Sequence, residues 1–237
     1  MKPKLTFAVI VPCFNEVKNI EACVFELLAL ELFDRVVVVD DASTDGTGRL
    51  LWTLQNRFTP RLQAFFLPKN GGKNQAVRFA AQCIECDVIV IYDADLTIAP
   101  ASLRAVVSLF KQDPNRFVFG SRFADKMEKG AMPRLNRWGN LFFAFWMSRL
   151  LGRKISDVLC GVKAISRVNF LDLPPSNCRW GDFDLMFGAA SKNLAFHEVP
   201  LFYQRRRADQ SKMHVIRSGL SFFFKCLRYT YQTSLAK

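Results

Sequence analysis

Val88-Ile89-Val90-Ile91-Tyr92 is an unbroken apolar run that ends in Asp93-Ala94-Asp95-Leu96. A run this short, with no polar alternation, reads as a strand covered on both faces, which requires a sheet sandwiched between helices. Two carboxylates separated by one small residue leave its carboxyl end. Thr97-Ile98-Ala99-Pro100-Ala101 then predicts a turn into a helix, with Pro100 at or near the first helical position. In an open α/β sheet, ligands bind at such a strand end. Hard carboxylate oxygens there suit Mg²⁺ or Mn²⁺, which complete their coordination with water and substrate phosphates. An isolated Asp-x-Asp is more often a plain acidic turn, so its meaning rests on the neighbouring chain.

That neighbourhood repeats the arrangement. Phe7 to Val11 predicts a second buried strand, ended by Pro12, which leads into Cys13-Phe14-Asn15-Glu16 and an amphipathic helix to about Leu30. Val36 to Val39 predicts a third strand that delivers Asp40 and Asp41. The capping residues Ala42-Ser43-Thr44-Asp45-Gly46-Thr47 follow and open another helix. Gln63 to Leu67 predicts a fourth strand, after which Lys69-Asn70-Gly71-Gly72-Lys73-Asn74-Gln75-Ala76 forms a glycine-rich turn into a helix. Strands alternating with helices in this way predict an α/β fold with a mostly parallel sheet covered by helices. Acidic strand ends and a glycine turn at a helix start converge on one edge, the physical make-up of a nucleotide-phosphate site.

The chain has 237 residues, half of them hydrophobic and 23% charged, which excludes a disordered class. Its longest apolar run, Leu141 to Met147, is far short of the ~18 to 20 residues needed to cross a bilayer. The first apolar run passes straight into motif residues without the form of a signal peptide, so a cytosolic chain is expected. Seven cysteines without a framework favour reduced thiols. Cys83-x-x-Cys86 has no second pair nearby, and His197 and His214 are the only histidines. Zinc and redox roles are therefore disfavoured, and both cysteines are expected as small core residues beside the strand. Charge is segregated. Residues 1–118 carry 13 Lys+Arg against 13 Asp+Glu, and residues 119–237 carry 20 against 8, so the whole net charge of +12 lies in the second half. A neutral carboxylate-lined half thus faces a half built to attract anions.

Val11-Pro12-Cys13-Phe14-Asn15-Glu16 with Asn19-Ile20, Asp40-Asp41-x-Ser43-x-Asp45-Gly46-Thr47, Asn70-x-Gly72 and Asp93-Ala94-Asp95-Leu96 together resemble the family 2 glycosyltransferases. The resemblance implies a Rossmann-like GT-A fold and a nucleotide-sugar donor. It further implies that Pro12, Glu16 and Asp41 line the nucleoside pocket, with Lys73 near the base or diphosphate. Asp93 and Asp95 would hold the divalent metal. Asp40 and Asp41 must point to opposite faces of their strand, so Asp41 is expected on the nucleoside and Asp40 in the scaffold. In the second half, several motifs follow in order: Gly120-Ser121-Arg122, Met132-Pro133-x-x-Asn136-Arg137-x-Gly139-Asn140, Ser156-Asp157-x-x-Cys160-Gly161-x-Lys163, Asp182-Phe183-Asp184 and Glu198-Val199-Pro200-Leu201-x-Tyr203-x-x-Arg206. This order is similar to the polyprenyl-phosphate sugar transferases, the group that includes dolichol-phosphate mannose synthase. The chain departs from that group in two places. Thr97 stands where a glutamine is usual, and Arg205-Arg206-Arg207 with Ala208-Asp209-Gln210-Ser211-Lys212 replaces an Arg-x-x-Gly-x-Ser-Lys pattern.

The expected reaction is inverting, metal-dependent transfer of a sugar from a nucleotide diphosphate. Its acceptor decides which side chains matter. A sugar or protein hydroxyl needs a general base, for which Asp182 or Asp184 is placed by order. A lipid phosphate is already anionic and instead needs guanidinium forks, for which Arg122, Arg137 and Arg206 are the candidates; each could equally be a solvated surface arginine. Asp157 is expected to order this region through hydrogen bonds or to cap a helix, and His197 to be structural. Leu135 to Leu151 and Met213 to Tyr231 are aromatic, basic and helical in spacing, which suits a membrane surface, although packing on the core would explain them too. The reading is one domain over 1–237. It comprises a nucleotide-sugar-binding half to about 118, an acceptor-binding half over about 119–210 and a basic amphipathic C-terminal helix over 211–237. The expected partners are a nucleotide-sugar donor, a polyprenyl phosphate and a membrane surface, and a separate membrane subunit is compatible with the reading. A nucleic-acid partner is not expected, because the chain pairs its basic half with a carboxylate-lined nucleotide half.

Overall fold

The computed structural model describes residues 5–113, 115–124, 127–176, 178–206 and 215–235. The first half alternates as its apolar runs require: β1 (Phe7–Cys13), α1 (Ile20–Ala29), β2 (Arg35–Asp40), α2 (Thr47–Phe58), β3 (Leu62–Phe66), α3 (Lys73–Cys83) and β4 (Val88–Ile91). A short 3₁₀ turn beginning at Pro100 opens into α4 (Leu103–Gln112). The second half adds β5 (Arg116–Ser121), α5 (Arg134–Leu151), β6 (Lys163–Ser166), α6 (Arg167–Leu171), α7 (Asp182–Ser191), β7 (Ala195–Pro200) and α8 (Val215–Leu235).

One seven-stranded sheet draws on both halves, in the order β3-β2-β1-β4-β6-β5-β7. Every pairing is parallel except those of β6, which runs antiparallel between β4 and β5. The parallel strands therefore all end on one edge, and β6 begins there: Lys163 is in register with Ile91 on one side and Phe119 on the other. This single reversed strand brings a lysine and the Asp157–Gly161 segment before it to the acidic strand ends. β6 reads Lys-Ala-Ile-Ser, so polar residues at both its ends deny it the apolar run that marks β4 in sequence.

Alternate residues of the buried strands feed two cores. Val9, Val11, Val36, Val38, Val88 and Val90 pack with Ile20 and Leu27 of α1, Leu51 of α2, and Val106 and Phe110 of α4. Ala8, Ile10, Val37, Val39, Ile89 and Ile91 face α3, α5, α7 and α8 through Val77, Phe143, Phe183 and Phe222. Both faces of these strands are covered, which is why their sequence shows runs and not alternation.

Two local expectations are corrected. β1 continues through Pro12 to Cys13. Ile10 O accepts from Tyr92 N toward β4, so two residues on the missing N–H of Pro12 faces the same side, where β4 has already ended and no ladder bond is lost. Cys83 is exposed at the end of α3 and only Cys86 is partly buried, so they are not a pair of core residues.

α8 packs on the body through Phe222, whose ring stacks on Phe183 at 4.5 Å, and through Tyr229, stacked on Phe187 at 4.0 Å. Its opposite face leaves Leu220, Phe224, Leu227 and Tyr231 exposed, and the outer face of α5 exposes Leu135, Trp138, Phe142 and Phe145. Among the described residues no helix is long and apolar enough to cross a membrane. Arg207, Ser211, Lys212, Met213 and His214 lie outside the described residues.

Candidate active site

Three non-glycine residues at the ends of β1, β2 and β4 hold positive φ: Asn15 at 52°, Ala42 at 60° and Leu96 at 55°. Left-handed backbone at such residues costs roughly 1 kcal/mol or more each and persists where surrounding structure enforces it, typically at functional sites. Here it turns the chain sharply off each strand and keeps the acidic loops on the sheet edge.

At the end of β4, Lys73 Nζ donates to Asp93 Oδ1 at 2.7 Å. The other oxygen of Asp93 lies against the Gly161 backbone, so close that a Cβ on Gly161 would stand 2.0 Å from it. Asp95 Oδ1 accepts from Thr97 N (3.1 Å) and Thr97 Oγ1 (2.8 Å), and its Oδ2 accepts from Arg206 Nη2 at 2.5 Å. Thr97, one of the departures from the dolichol-type pattern, thus closes the turn that holds Asp95. Burial pulls the Lys73 ammonium down, but Asp93 and then Asp182 outweigh it, and its pKa ends above the ordinary lysine value. Burial pushes Asp93 up, while Lys73, Lys163 and Arg206 hold it below the usual carboxylate range. Both groups are therefore charged at neutral pH.

Just past the end of β2, the Asp41 carboxylate accepts from Gly71 N at 2.8 Å and Gly72 N at 2.7 Å, while Asn70 Nδ2 donates to Asp41 O. Asp40 Oδ1 accepts from Ser43 N at 3.0 Å. Both aspartates are buried, and Asp41 is the one joined to the glycine turn. Gly72, at φ 89°, is also required sterically, since a Cβ there would meet Arg179 at 2.3 Å. Glu16 is buried with its carboxylate accepting from Asn19 Nδ2 at 2.7 Å, and Pro12 lies one strand away in β1.

On the other side, Arg122 grips Asp157 in a fork, Nε to Oδ2 at 2.6 Å and Nη2 to Oδ1 at 2.9 Å, and its guanidinium lies 5.2 Å from the Tyr203 ring centre. Asn140 Nδ2 and Leu159 N also donate to Asp157, which is fully buried. Glu198 fixes the preceding backbone by accepting from Ser156 N and Asp157 N. Of the three candidate arginines, Arg206 is joined to Asp95 and Arg122 to Asp157, while Arg137 is exposed on α5.

Asp182 and Asp184 occupy the first turn of α7. Lys163 Nζ donates to Asp182 Oδ1 at 2.5 Å and to Cys160 O at 2.6 Å, and Lys225 of α8 pairs with Asp184. Lys163, Asn140 and Glu198 were given no role by sequence reasoning. Lys163 carried one usable signal, a charged residue inside the apolar stretch Val162–Ile165.

Residues 8–173 match the profile of Glycosyl transferase family 2. The chain is a family 2 glycosyltransferase. Among its relatives is Glycosyltransferase AglJ of Haloferax volcanii, 30% identical over 224 residues, covering 93% of this chain and 70% of that one. The UDP-N-acetylglucosamine–dolichyl-phosphate N-acetylglucosaminyltransferase of Methanococcus voltae is 28% identical over 181 residues, 70% of this chain and 71% of its own length. A dolichyl-phosphate hexose transferase of Haloferax volcanii is 28% identical over 214 residues, 90% of this chain and 88% of that one. Among solved structures, glucosyl-3-phosphoglycerate synthase from Mycobacterium tuberculosis in complex with Mn²⁺, UDP and glucosyl-3-phosphoglycerate superposes with TM-score 0.72 at 20% identity, over 95% of this chain and 81% of that one. That likeness establishes the GT-A fold of the family 2 enzyme.

The transferase's strand-end carboxylates fit a hard divalent ion. Asp93 and Asp95 offer oxygen donors on one turn, and Asp93 Oδ1 and Asp95 Oδ2 each keep a lone pair beyond their one ion-pair hydrogen bond. Among the described residues no cluster of three or more metal-ligating side chains forms. An ion with two protein carboxylates and a shell completed by diphosphate and water is the pattern of Mg²⁺ and Mn²⁺ at phosphate sites.

Proposed function

We propose that this glycosyltransferase moves a hexose or N-acetylhexosamine from a nucleotide diphosphate to a polyprenyl phosphate, with inversion at the anomeric carbon. The observation that carries this reading is the pairing of both candidate bases: Asp182 with the buried Lys163, and Asp184 with Lys225. A hydroxyl acceptor needs a carboxylate poised to take its proton, whereas a phosphate oxygen attacks without one. The names of the dolichyl-phosphate relatives point the same way.

In this reading Asp41 sets the glycine turn against the nucleoside, with Pro12 and Glu16 beside it, and Lys73 stands between that turn and Asp93. Asp93 and Asp95 hold Mg²⁺ or Mn²⁺, which when bound neutralises charge on the departing diphosphate. Arg206, next to Asp95, and Arg122, braced by Asp157, orient the acceptor phosphate, with Arg137 at the approach. One phosphate oxygen forms a bond to the anomeric carbon as the bond from that carbon to the diphosphate breaks, and the nucleoside diphosphate leaves. The exposed aromatics of α5 and α8, flanked by Arg137, Arg149, Lys225 and Arg228, lie at the surface of the membrane that supplies the lipid.

The test offers radiolabelled nucleotide sugars, with Mn²⁺, to short-chain polyprenyl phosphate and to free sugars in parallel. Label is expected in the lipid fraction only, and Asp182→Asn or Asp184→Asn should leave measurable transfer. Transfer only to sugars, abolished by either substitution, would replace this acceptor with a hydroxyl.

A further inference from the structure

Lys163 is a charged residue that the reaction above leaves without a task. It is 2% exposed, and of its three ammonium donors one goes to Cys160 O and one to Asp182 Oδ1. A third N–H remains. Asp182 is 5% exposed, and among the described residues its second oxygen has no hydrogen-bond partner. Buried ion pairs rarely add net stability, because desolvation offsets their attraction, so a purely structural role would be served as well by an apolar pair.

Both residues border one cavity. Lys73, Asn74, Lys163, Phe170, Trp180 and Asp182 line a space of about 20 Å³. One oxygen-sized group needs roughly 10–15 Å³, so the space is large enough for one hydroxyl. Lys73 belongs both to this wall and to the ion pair with Asp93, which places the cavity beside the strand-end carboxylate. Register explains how a lysine reaches it, since β6 alone is reversed and starts opposite the end of β4.

We infer that this cavity is a subsite for a single hydroxyl of the donor sugar, with Lys163 as its hydrogen-bond donor and Asp182 as its acceptor. A hydroxyl both accepts and donates, so it completes the two groups at once. A sugar lacking that hydroxyl leaves a buried ammonium and a buried carboxylate short of a bond, and discrimination follows from their cost. Lys163 and Asp182 are then specificity-determining residues. This rests on the nucleotide-sugar reading and on a phosphate acceptor, since a hydroxyl acceptor would claim Asp182 or Asp184 as its base.

The experiment is calorimetry with Mn²⁺, first with UDP, GDP, UDP-glucose, UDP-N-acetylglucosamine and GDP-mannose. The tightest nucleotide sugar is then compared with its monodeoxy analogues. One deoxy position is expected to weaken binding about tenfold or more, the loss of hydrogen bonds to charged groups, with the others nearly neutral. In Lys163→Met/Asp182→Asn that penalty should shrink to within about threefold while the bare nucleoside diphosphate binds as before. Lys163→Arg keeps the ion pair and fills the cavity, and should remove the sugar's share of the affinity while sparing that of the nucleotide. The inference is overturned if no deoxy position stands out in the unaltered protein, or if its penalty survives undiminished in the variants. Failure of both UDP and GDP to bind would overturn the donor reading beneath it.

Discussion

Arg122 and Asp157 are joined by two parallel hydrogen bonds, with the carboxylate wholly out of solvent. Burial alone would raise the Asp157 carboxyl, but Arg122 reverses this and holds it below the usual carboxylate range. Removing one member leaves a buried charge unmatched. Asp157→Asn should therefore destabilise the protein by about 3–5 kcal/mol, measured by denaturant unfolding. The pH dependence has a definite sign. A carboxylate with a depressed folded pKa contributes fully above its unfolded value of about 3.9, and the contribution is lost as pH falls below that toward the folded pKa. Melting temperature should fall steeply on the acid side in the parent and less steeply in Asp157→Asn. Equal acid slopes would show that the pair does not govern that limb.

The strand-end carboxylates differ in their surroundings, and the variants should differ too. Asp95→Asn is expected to cut turnover by roughly 100-fold or more with the fold intact by circular dichroism, because it removes charge at the centre of the reaction. Asp93→Asn should also weaken donor binding, since Lys73 loses its partner. Gly161→Ala offers an independent probe. Its Cβ would fall 2.0 Å from Asp93 Oδ2, so Asp93 must move. A displacement on that scale should cost activity by about 100-fold, more than it costs stability. Near-normal turnover in Asp95→Asn with excess Mn²⁺ would remove the metal assignment.

Much of this edge was legible because burial on both faces writes itself as uninterrupted apolar runs. Val36–Val39 and Val88–Ile91 could hardly be anything else, and the residues after them had to meet on one edge once the strands were parallel. What was not legible depended on partners distant in sequence. Nothing local to Lys163 says that its strand is reversed, or that Asp182 nineteen positions on will receive it. Asp41 is an acidic residue at a strand end in either role. Only the closeness of Gly71 and Gly72 shows that its carboxylate is occupied by backbone N–H groups. The face of α8 was ambiguous for a related reason, because Phe222 and Phe224 are chemically alike and only packing separates the core-facing ring from the exposed one.

Asp40 and Asp41 can be separated by the same logic. Asp41→Ala strands two N–H groups of the glycine turn and should lower stability by about 1–3 kcal/mol and raise the donor KM together. Asp40→Ala frees one N–H, that of Ser43, where Asp41→Ala frees two, and should act on stability with little change in KM. Comparing KM with melting temperature in both variants decides the matter, and a raised KM confined to Asp40→Ala would exchange their roles.

The two faces of α8 give the last test. Phe222 is 2% exposed and stacks on Phe183, between the two aspartates that begin α7. Phe222→Ala should cost about 3–5 kcal/mol of stability, as expected for a buried aromatic. Phe224 is 65% exposed and Leu227 43%, so Phe224→Ser/Leu227→Ser should leave melting almost unchanged. If this face lies on the bilayer, the double substitution should weaken sedimentation with anionic liposomes while nucleotide-sugar binding stays constant. Lys225 and Arg228 add a salt-sensitive part, since each basic residue near an anionic surface contributes about 1 kcal/mol. Lys225 needs care as a probe because it also pairs with Asp184, and Arg228→Ser is the cleaner choice. Liposome binding that is indifferent to both the exposed pair and Arg228 would assign these aromatics to a protein partner and not to lipid.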